Sequence, residues 1–452
     1  FPQDHPDRIN AIRGLHGAGH HFAVHLSGAG NMVARCSDGG SKMSFFAGLI
    51  STVFERRYRT ALSDEAAGRS IMELSNDLLG SHGEVSGSTL ARLILDRYAT
   101  MEPGEKQAFF SFMTHDLEID PKQVTATLQT YQDTPSKASY RAFAKACEPQ
   151  RQELIRRLNQ VPGATARLVA MRKDLLDSLR KHPDLAPLDV DFQHLFSSWF
   201  NRGFLVLRPL NWSSPAEILE KIIEYEAVHA IDSWEDLQRR LQPADRRCFG
   251  FFHPAMAGEP LIFVEVALTK GIPNSIQSLL ADGRDAILAE DADTAVFYSI
   301  SNCQAGLAGI SFGNSLIKQV AADLSRDLPM LKNFVTLSPI PGLNAWLKNT
   351  DTALDAAPAN LAAHYLLEAK RADGMPADPV ARFHLGNGAM VHAVHGDADL
   401  SGKGMAQSNG AMVNYLYDLS QITKNHEQFV AEKTVIASPD VRALSASIKL
   451  DT

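Results

Sequence analysis

The spacing of the apolar residues changes near residue 189, and this change constrains the fold more than any other feature of the chain. Between Met43 and Pro187, apolar residues recur at positions i, i+3, i+4 and i+7, as in KASYRAFAKACEPQRQELIRRLNQ and ATARLVAMRKDLLDSLRKH. This spacing predicts amphipathic helices. Asp120 followed by Pro121 fits an N-cap and the first position of a helix. We therefore predict a helical domain over residues 43–188.

Short runs of β-forming residues replace the helical pattern from residue 189 onward. The runs FLVLRPL, RCFGFF, LIFVEVAL and AVFYSI are bounded by glycine and proline and alternate with helical stretches such as SPAEILEKIIEYEA. A further strand is predicted from Ala389 to Val394. A single hydrophobic core seldom grows past ~250–300 residues, so two domains are expected. The overall prediction is an α+β chain with a mixed α/β domain over residues 189–452.

The first 42 residues differ in composition from the rest. They begin at Phe1 and contain five histidines among many glycines: His5, His16, His20, His21 and His25. Three of these histidines have a spacing that would suit a metal ion on a helix, but the intervening glycines oppose helix formation. We interpret residues 1–42 as a loosely packed or non-native extension, with Met43 as the native start, and we predict no metal site.

Composition and charge narrow the possible partners. The formal net charge of −8 argues against a nucleic-acid partner, because such a protein needs a basic surface. No uninterrupted run of ~18 apolar residues exists, so neither a membrane-spanning helix nor a membrane partner is expected. The four cysteines lack the spacing of a zinc site or a disulfide framework and suit a reducing compartment. We therefore expect a cytoplasmic protein.

A strand, a glycine-rich turn and a helix are predicted in succession between Asp293 and Leu324. The run from Asp293 to Ile300 is β-forming, and the turn contains Cys303, which we interpret as a packing residue. The glycines of the turn are Gly306, Gly309 and Gly313, and the helical positions are Leu316, Ile317, Val320 and Leu324. Such a turn presents unpaired backbone N–H groups at a helix N-terminus, which suit a pyrophosphate.

Several sequence blocks in a fixed order resemble the malonyl-CoA decarboxylase family. They include FYSISNCQAGLAGISFGNSLIKQV, LSPIPG, PVARFHLGNGA and NGAMVNYLY, and the resemblance extends from about Phe196 to about Tyr417. It implies the acetyltransferase-like (GNAT) fold for residues 189–452. In that fold the pyrophosphate of an acyl-CoA lies at a splayed pair of strands and the helix that follows.

The resemblance also implies the residues of the site. Ser338 and His384 match the two catalytic positions, with the serine as proton acceptor or relay and the histidine as a proton donor that contacts the malonyl carboxylate. Tyr417 lies in a matching block, and its hydroxyl is expected to orient His384 or the carboxylate. The malonyl-CoA-binding loop is matched by Ala308, Gly309, Ile310, Ser311, Phe312, Gly313 and Asn314.

Structural interpretations of the same residues stay open. A serine before a proline can simply shape a turn, and His384, between Phe383 and Leu385, can be a packed core residue. Aromatic packing is the favoured interpretation of Tyr415. For Tyr417, packing and a role of the hydroxyl in the site have equal weight. The loop also departs from the acetyltransferase pattern Gln/Arg-x-x-Gly-x-Gly, because its first two marked positions hold alanine and serine.

The predicted function is conversion of malonyl-CoA to acetyl-CoA and CO2. The thioester accepts the charge of the carbanion as an enolate, so no cofactor and no metal are required. Two alternatives remain: an acyl-CoA N-acetyltransferase of the same fold, and a non-catalytic malonyl-CoA sensor. The resemblance further implies a homotetramer, built as a dimer of dimers through the helical domain.

Overall fold

The computed structural model describes residues 68–80, 83–310, 316–349 and 356–448. The predicted extension over residues 1–42 and the proposed start at Met43 lie outside these ranges. The described residues belong to one compact unit. None of the helices within these ranges combines the length and the apolar character needed to cross a bilayer.

Eight helices precede the first strand in the described part of the chain, and they confirm the helical prediction. Their bounds are α1 (Ile71–Gly80), α2 (Glu84–Ala99), α3 (Pro103–His115), α4 (Pro121–Asp133), α5 (Lys137–Ala146), α6 (Gln150–Leu158), α7 (Ala164–Leu179) and α8 (Ala186–Trp199). The Asp120 side chain caps α4 by accepting hydrogen bonds from the backbone N–H groups of Lys122 and Gln123, as its sequence position predicted. Helix α8 spans the predicted domain boundary between residues 188 and 189, and that boundary stays a prediction.

A mixed sheet of eight strands follows the helices. The strands are β1 (Val206–Leu210), β2 (Arg246–Phe252), β3 (Pro260–Thr269), β4 (Thr294–Asn302), β5 (Asn333–Thr336), β6 (Ser338–Pro339), β7 (Met390–His395) and β8 (Met412–Leu416). Their order is β1-β2-β3-β4-β5-β8-β6, with β7 paired to β8. The neighbours from β1 to β4 are antiparallel, β4 and β5 are parallel, and β8 runs antiparallel to its three partners. The predicted strands are confirmed.

Ten further helices connect or cover these strands in the described residues. They are α9 (Ala216–Tyr225), α10 (Trp234–Leu241), α11 (Ile276–Leu279), α12 (Leu316–Asp327), α13 (Leu343–Asn349), α14 (Pro358–Glu368), α15 (Pro379–Gly386), α16 (Gly402–Ser408), α17 (Ile422–Glu432) and α18 (Pro439–Ala446). Helix α12 buries Ile317 and Val320 in the same core as Val264 and Phe297 of the sheet. The helical spacing predicted for α12 is therefore confirmed, as is the α+β class.

The parallel strands β4 and β5 separate partway along the sheet. They pair from Thr294, opposite Asn333, to Phe297, opposite Thr336. Beyond this point β4 continues towards the glycine-rich turn, whereas the chain after β5 enters β6 at Ser338, which pairs with β8 instead. This is the splayed strand pair that the resemblance implied. The glycine-rich turn follows one strand of the pair, and Ser338 follows the other.

Candidate functional site

Ser338 begins the short strand β6 and lies directly after β5. Its side chain is buried, and its Oγ donates a hydrogen bond of 2.8 Å to Oγ1 of Thr336. The two side chains can meet because residues i and i+2 of an extended chain point to the same side. Pro339 follows Ser338 and fixes φ at its own position, which stiffens the segment. Ser338 is therefore held in place by its backbone and by a hydrogen bond.

His384 lies in the last turn of α15, and its side chain contacts that of Ser338. Asp378 begins this helix as its N-cap and accepts hydrogen bonds of 2.9 Å from the backbone N–H groups of Val380 and Ala381. The imidazole is 3% exposed, and its Nε2 lies 3.2 Å from Oγ of Ser338. The helix cap and the sheet register thus bring together two residues that are 46 positions apart.

The hydrogen bonds around His384 select one form of its imidazole. Because the single hydroxyl proton of Ser338 is directed to Thr336, the Ser338–His384 contact requires an Nε2–H donor on the histidine. Nδ1 then accepts from the hydroxyl of Tyr417, at 2.7 Å. Burial lowers the pKa of His384 to about 3, so the ring is neutral at ordinary pH.

Strand β8 completes the surroundings of the histidine. The ring of Tyr415 stacks on the imidazole, with centroids 4.5 Å apart and planes inclined by 24°. The Tyr415 hydroxyl is buried and has no hydrogen-bond partner among the described residues. The Tyr415 backbone N–H donates to Oγ1 of Thr336, and Asn414 donates from Nδ2 to the Thr336 carbonyl oxygen at 2.7 Å. Tyr415 therefore packs against the site, as the sequence interpretation favoured.

Thr336 is the site residue that the sequence analysis missed. It links the Ser338 hydroxyl to the backbone of β8, so it fixes which way that hydroxyl points. Its position two residues before the candidate serine was a usable signal, because an extended segment places these two side chains on one side.

The predicted substrate loop follows β4, and no hydrogen bond joins its described residues to Ser338 or His384. Ala308 and Gly309 are exposed, and Gly309 has φ of 77°, a left-handed conformation that favours glycine. The Ile310 side chain instead packs into the core of the helical region. Ser311, Phe312, Gly313 and Asn314 lie outside the described residues. Nearby Cys303 is buried among apolar side chains, and burial raises its pKa, in keeping with a packing role.

Metal ligands do not gather at this site. Within residues 68–80, 83–310, 316–349 and 356–448, no group of three or more His, Cys, Asp or Glu side chains is arranged to hold a metal ion. Cys147, Cys248 and Cys303 are free thiols. The described groups that surround His384 are instead hydroxyls and aromatic rings, which suit proton transfer and the binding of a small anionic group.

Comparisons with known proteins agree on one family. Residues 203–358 and 348–451 match the malonyl-CoA decarboxylase C-terminal domain, and residues 117–200 match the N-terminal domain of that family. A curated relative, the mitochondrial malonyl-CoA decarboxylase of Anser anser anser, is 36% identical over 349 residues, which cover 65% of this chain and 69% of the relative.

Solved structures give the same result. The malonyl-CoA decarboxylase from Rhodopseudomonas palustris is 47% identical, with a TM-score of 0.78, and the match covers 82% of this chain and 98% of that chain. The malonyl-CoA decarboxylase from Agrobacterium vitis is also 47% identical, with a TM-score of 0.79 and coverage of 83% and 99%.

Proposed function

The chain belongs to the malonyl-CoA decarboxylase family, and on this premise we propose that it converts malonyl-CoA to acetyl-CoA and CO2. The observation that carries the proposal is the hydrogen bond between Ser338 and His384, 3.2 Å long and buried, with Tyr417 on the other ring nitrogen. We assign Ser338 and His384 as the catalytic pair. Tyr417 is a substrate-site residue that orients the imidazole.

The reaction breaks the bond between the malonyl carboxylate and the α-carbon. The bonding electrons move onto the α-carbon and are shared with the thioester carbonyl as an enolate, so no bound cofactor is needed to accept them. The buried surroundings of Ser338 and His384 favour this step, because loss of neutral CO2 removes a carboxylate from a site that solvates charge poorly. The α-carbon must then receive one proton to yield acetyl-CoA.

His384 supplies that proton in the proposed mechanism. In the free protein its pKa is about 3, which leaves the imidazole neutral. A malonyl carboxylate bound beside the ring raises this pKa, because a nearby negative charge favours the imidazolium. The protonated ring then donates from Nε2 to the α-carbon directly, or it donates to Oγ of Ser338 while the serine hydroxyl proton passes to the α-carbon. The ring is reprotonated from solvent. Before this step Thr336 accepts a hydrogen bond from the serine hydroxyl and so holds Oγ beside the imidazole.

The glycine-rich loop is proposed to bind the CoA part of the substrate. Its assigned residues are Ala308, Gly309, Ile310, Ser311, Phe312, Gly313 and Asn314. The exposed backbone around Gly309 supports this role, because backbone N–H groups that face solvent can bind phosphate oxygens. The buried side chain of Ile310 indicates that this residue contributes through its backbone.

CO2 release from malonyl-CoA tests the proposed function directly. The purified protein is incubated with malonyl-CoA, with and without a panel of primary amines and with and without EDTA. We expect stoichiometric CO2 and acetyl-CoA whose rate depends neither on the amine nor on the chelator. Transfer of the acyl group to an amine would instead identify an acetyltransferase. Tight binding of malonyl-CoA without turnover would identify a sensor.

The oligomeric state of the protein and its location in the cell are also proposals. We propose a homotetramer, a dimer of dimers, and a cytoplasmic location. The three free thiols among the described residues support a reducing compartment. The curated relative from Anser anser anser is by name mitochondrial, so fractionation of the source cells, with activity as the marker, is the deciding measurement.

A further inference from the structure

A single buried arginine connects the helical region to the proposed substrate loop. Arg172 lies on α7, is 1% exposed, and donates from Nε to Oδ1 of Asp189 on α8 at 2.7 Å. Its Nη1 donates to two carbonyl oxygens of the loop, those of Gly306 at 2.7 Å and Ala308 at 2.9 Å. One guanidinium group therefore holds two loop peptides and is itself neutralised by a helical carboxylate.

The contact with Ala308 sets the direction of the next backbone N–H. In a trans peptide the C=O and N–H groups point in opposite directions. Because the Ala308 carbonyl points towards Arg172, the N–H of Gly309 points away from the helices. Gly309 is exposed, and no described residue accepts a hydrogen bond from its N–H. Arg172 therefore fixes a peptide whose N–H lies on the outer side of the loop and is not used by any described residue.

Close packing holds the loop against the same helix. A Cβ atom at Gly306 would lie 1.9 Å from the carbonyl oxygen of Val169 on α7, so only glycine allows this approach. Leu307 and Ile310 bury their side chains in the core of the helical region. The turn after β4 is thus packed on the helices and not only on the sheet from which it emerges.

We propose that Arg172 is a positioning residue for substrate binding, which orients the peptides between Gly306 and Gly309 so that the exposed backbone N–H of Gly309 can bind the diphosphate of the acyl-CoA. This inference rests on the proposed function of the loop. It gives the helical region a part in substrate affinity, in addition to the expected role in oligomerisation. Arg172 does not touch the reacting atoms, so it acts on binding and not on the chemical step.

The helical region offers a matched control for the loss of a buried ion pair. Arg151 on α6 pairs through Nε with Asp191 on α8, and its Nη1 donates to the Thr114 carbonyl oxygen at 2.9 Å. Both arginines are buried, and both pair with an aspartate of the same helix. The carbonyl partner of Arg151 lies on α3 and not on the loop. Substitution at Arg151 thus reports the structural cost alone.

The test compares Arg172→Lys with Arg151→Lys in the full chain. Lysine keeps the charge but lacks the planar fork that serves several acceptors at once. Both variants are expected to unfold at lower temperature. For Arg172→Lys alone, we expect the KM for malonyl-CoA and the calorimetric Kd for CoA to rise about tenfold, as for loss of a charge-assisted hydrogen bond. Its kcat should stay within about twofold of wild type, because only binding is affected.

The possible outcomes separate this inference from the proposed function. If wild type releases CO2 and binds CoA, while Arg172→Lys has the same KM and Kd as Arg151→Lys, the positioning role is wrong. If wild type neither turns over malonyl-CoA nor binds CoA, the proposed function is wrong and this inference falls with it. Should Arg172→Lys not fold, Asp189→Asn with Asp191→Asn as its control carries the same comparison. A rise in KM for Asp189→Asn alone then supports the role, and equal KM values overturn it.

Discussion

His384 is enclosed by the hydroxyls of Ser338 and Tyr417 and by the ring of Tyr415. Its environment contains no described carboxylate partner, and burial is the one cause that lowers its pKa. The pKa of a neutral histidine with both ring nitrogens hydrogen-bonded responds to an anion that binds beside the ring. In the proposed mechanism, the negative charge of the bound substrate raises the pKa of His384 and converts the neutral imidazole to an acid.

Removal of either member of the catalytic pair is expected to affect turnover and not binding. His384→Ala should lose kcat by ~10²–10⁴-fold, the usual contribution of general acid catalysis. Ser338→Ala should fall comparably, and the double variant should be little worse, because residues that act as one unit are not additive. The KM should stay similar, since the CoA part supplies most of the binding energy. Steady-state kinetics on folded variants measures both parameters.

The chain contains a second buried serine–histidine pair that serves as the control. His364 on α14 and Ser445 on α18 lie with Nδ1 and Oγ 3.5 Å apart. His364→Ala and Ser445→Ala should leave kcat unchanged apart from any loss of folded protein. Near-normal kcat in Ser338→Ala and His384→Ala would show that the catalytic assignment is wrong.

Protonation of His384 also predicts a dependence of stability on pH. The pKa is about 3 in the folded protein and ~6.5 in the unfolded chain. Between these values the unfolded state binds more protons, so stability rises with pH, by up to ~1.4 kcal/mol per pH unit. Stability is therefore lost as pH falls below the unfolded value. His384→Gln should show a shallower loss between pH 6.5 and pH 4 in urea titrations.

His229 provides an independent check on that measurement. Burial lowers its pKa to about 4, so it contributes with the same sign over a similar range. His229→Gln should also reduce the slope, and the double variant should reduce it further. A slope for His384→Gln equal to that of wild type would show that the histidine is not buried in its neutral form.

At the scale of secondary-structure elements, one carboxylate connects α15, which carries His384, to the segment that follows Ser338. Asp378 caps α15 through Oδ1, and its Oδ2 accepts a hydrogen bond of 3.4 Å from the backbone N–H of Gly342, four residues after Ser338. Burial raises the pKa of Asp378, because its surroundings disfavour the charged form of the carboxyl group. The distance between Ser338 and His384 therefore depends on a residue that touches neither.

Asp378→Ala is expected to lower both stability and turnover. Loss of the helix cap costs ~1 kcal/mol, and release of the Gly342 contact loosens the approach of α15 to β6, so kcat should fall. Asp378→Asn keeps a capping oxygen and should retain more of both. Asp120→Ala removes the cap of α4 in the helical region and serves as the control. Equal kcat in the Asp378→Ala and Asp120→Ala variants would contradict a positioning role.

At the scale of the whole molecule, part of the helical region is left uncovered within one chain. Helix α4 has no buried residue, and α5 buries only Ser139 and Ala146. Tyr140 on α5 is 58% exposed beside Tyr131 of α4, with ring centroids 5.8 Å apart. An exposed tyrosine that packs against a half-buried one on a helical hairpin is the kind of surface that subunit interfaces cover.

We expect light scattering at micromolar concentration to give the mass of a tetramer. Tyr140→Glu places a charge on the exposed hairpin and should reduce the mass, because an unpaired charge opposes burial in an interface. Leu288→Glu changes a residue that is 62% exposed outside the helical region and should leave the mass unchanged. A monomeric wild-type protein would reject the proposed assembly.

The sequence by itself determined the elements and their chemical types. The spacing of apolar residues identified the helices before residue 189 and the helix α12, because burial of one helix face is a local pattern that each helix carries alone. A continuous run of β-forming residues identified β4, which is buried along nearly its whole length. The resemblance of the ordered motifs predicted Ser338, His384 and Tyr417 as site residues. The sequence also showed that Ala308 and Ser311 depart from the acetyltransferase loop pattern, because residue identity is enough to see this difference.

Only the tertiary structure decided how these residues act on one another. The contact of Ser338 with His384 depends on strand register and on the Asp378 cap, and neither is encoded within either motif. The neutral imidazole follows from burial by parts of the chain distant in sequence. Arg172 reaches Gly306 across 134 positions. Local spacing contains no information about such contacts, because their free energy arises only when separate elements exclude water together.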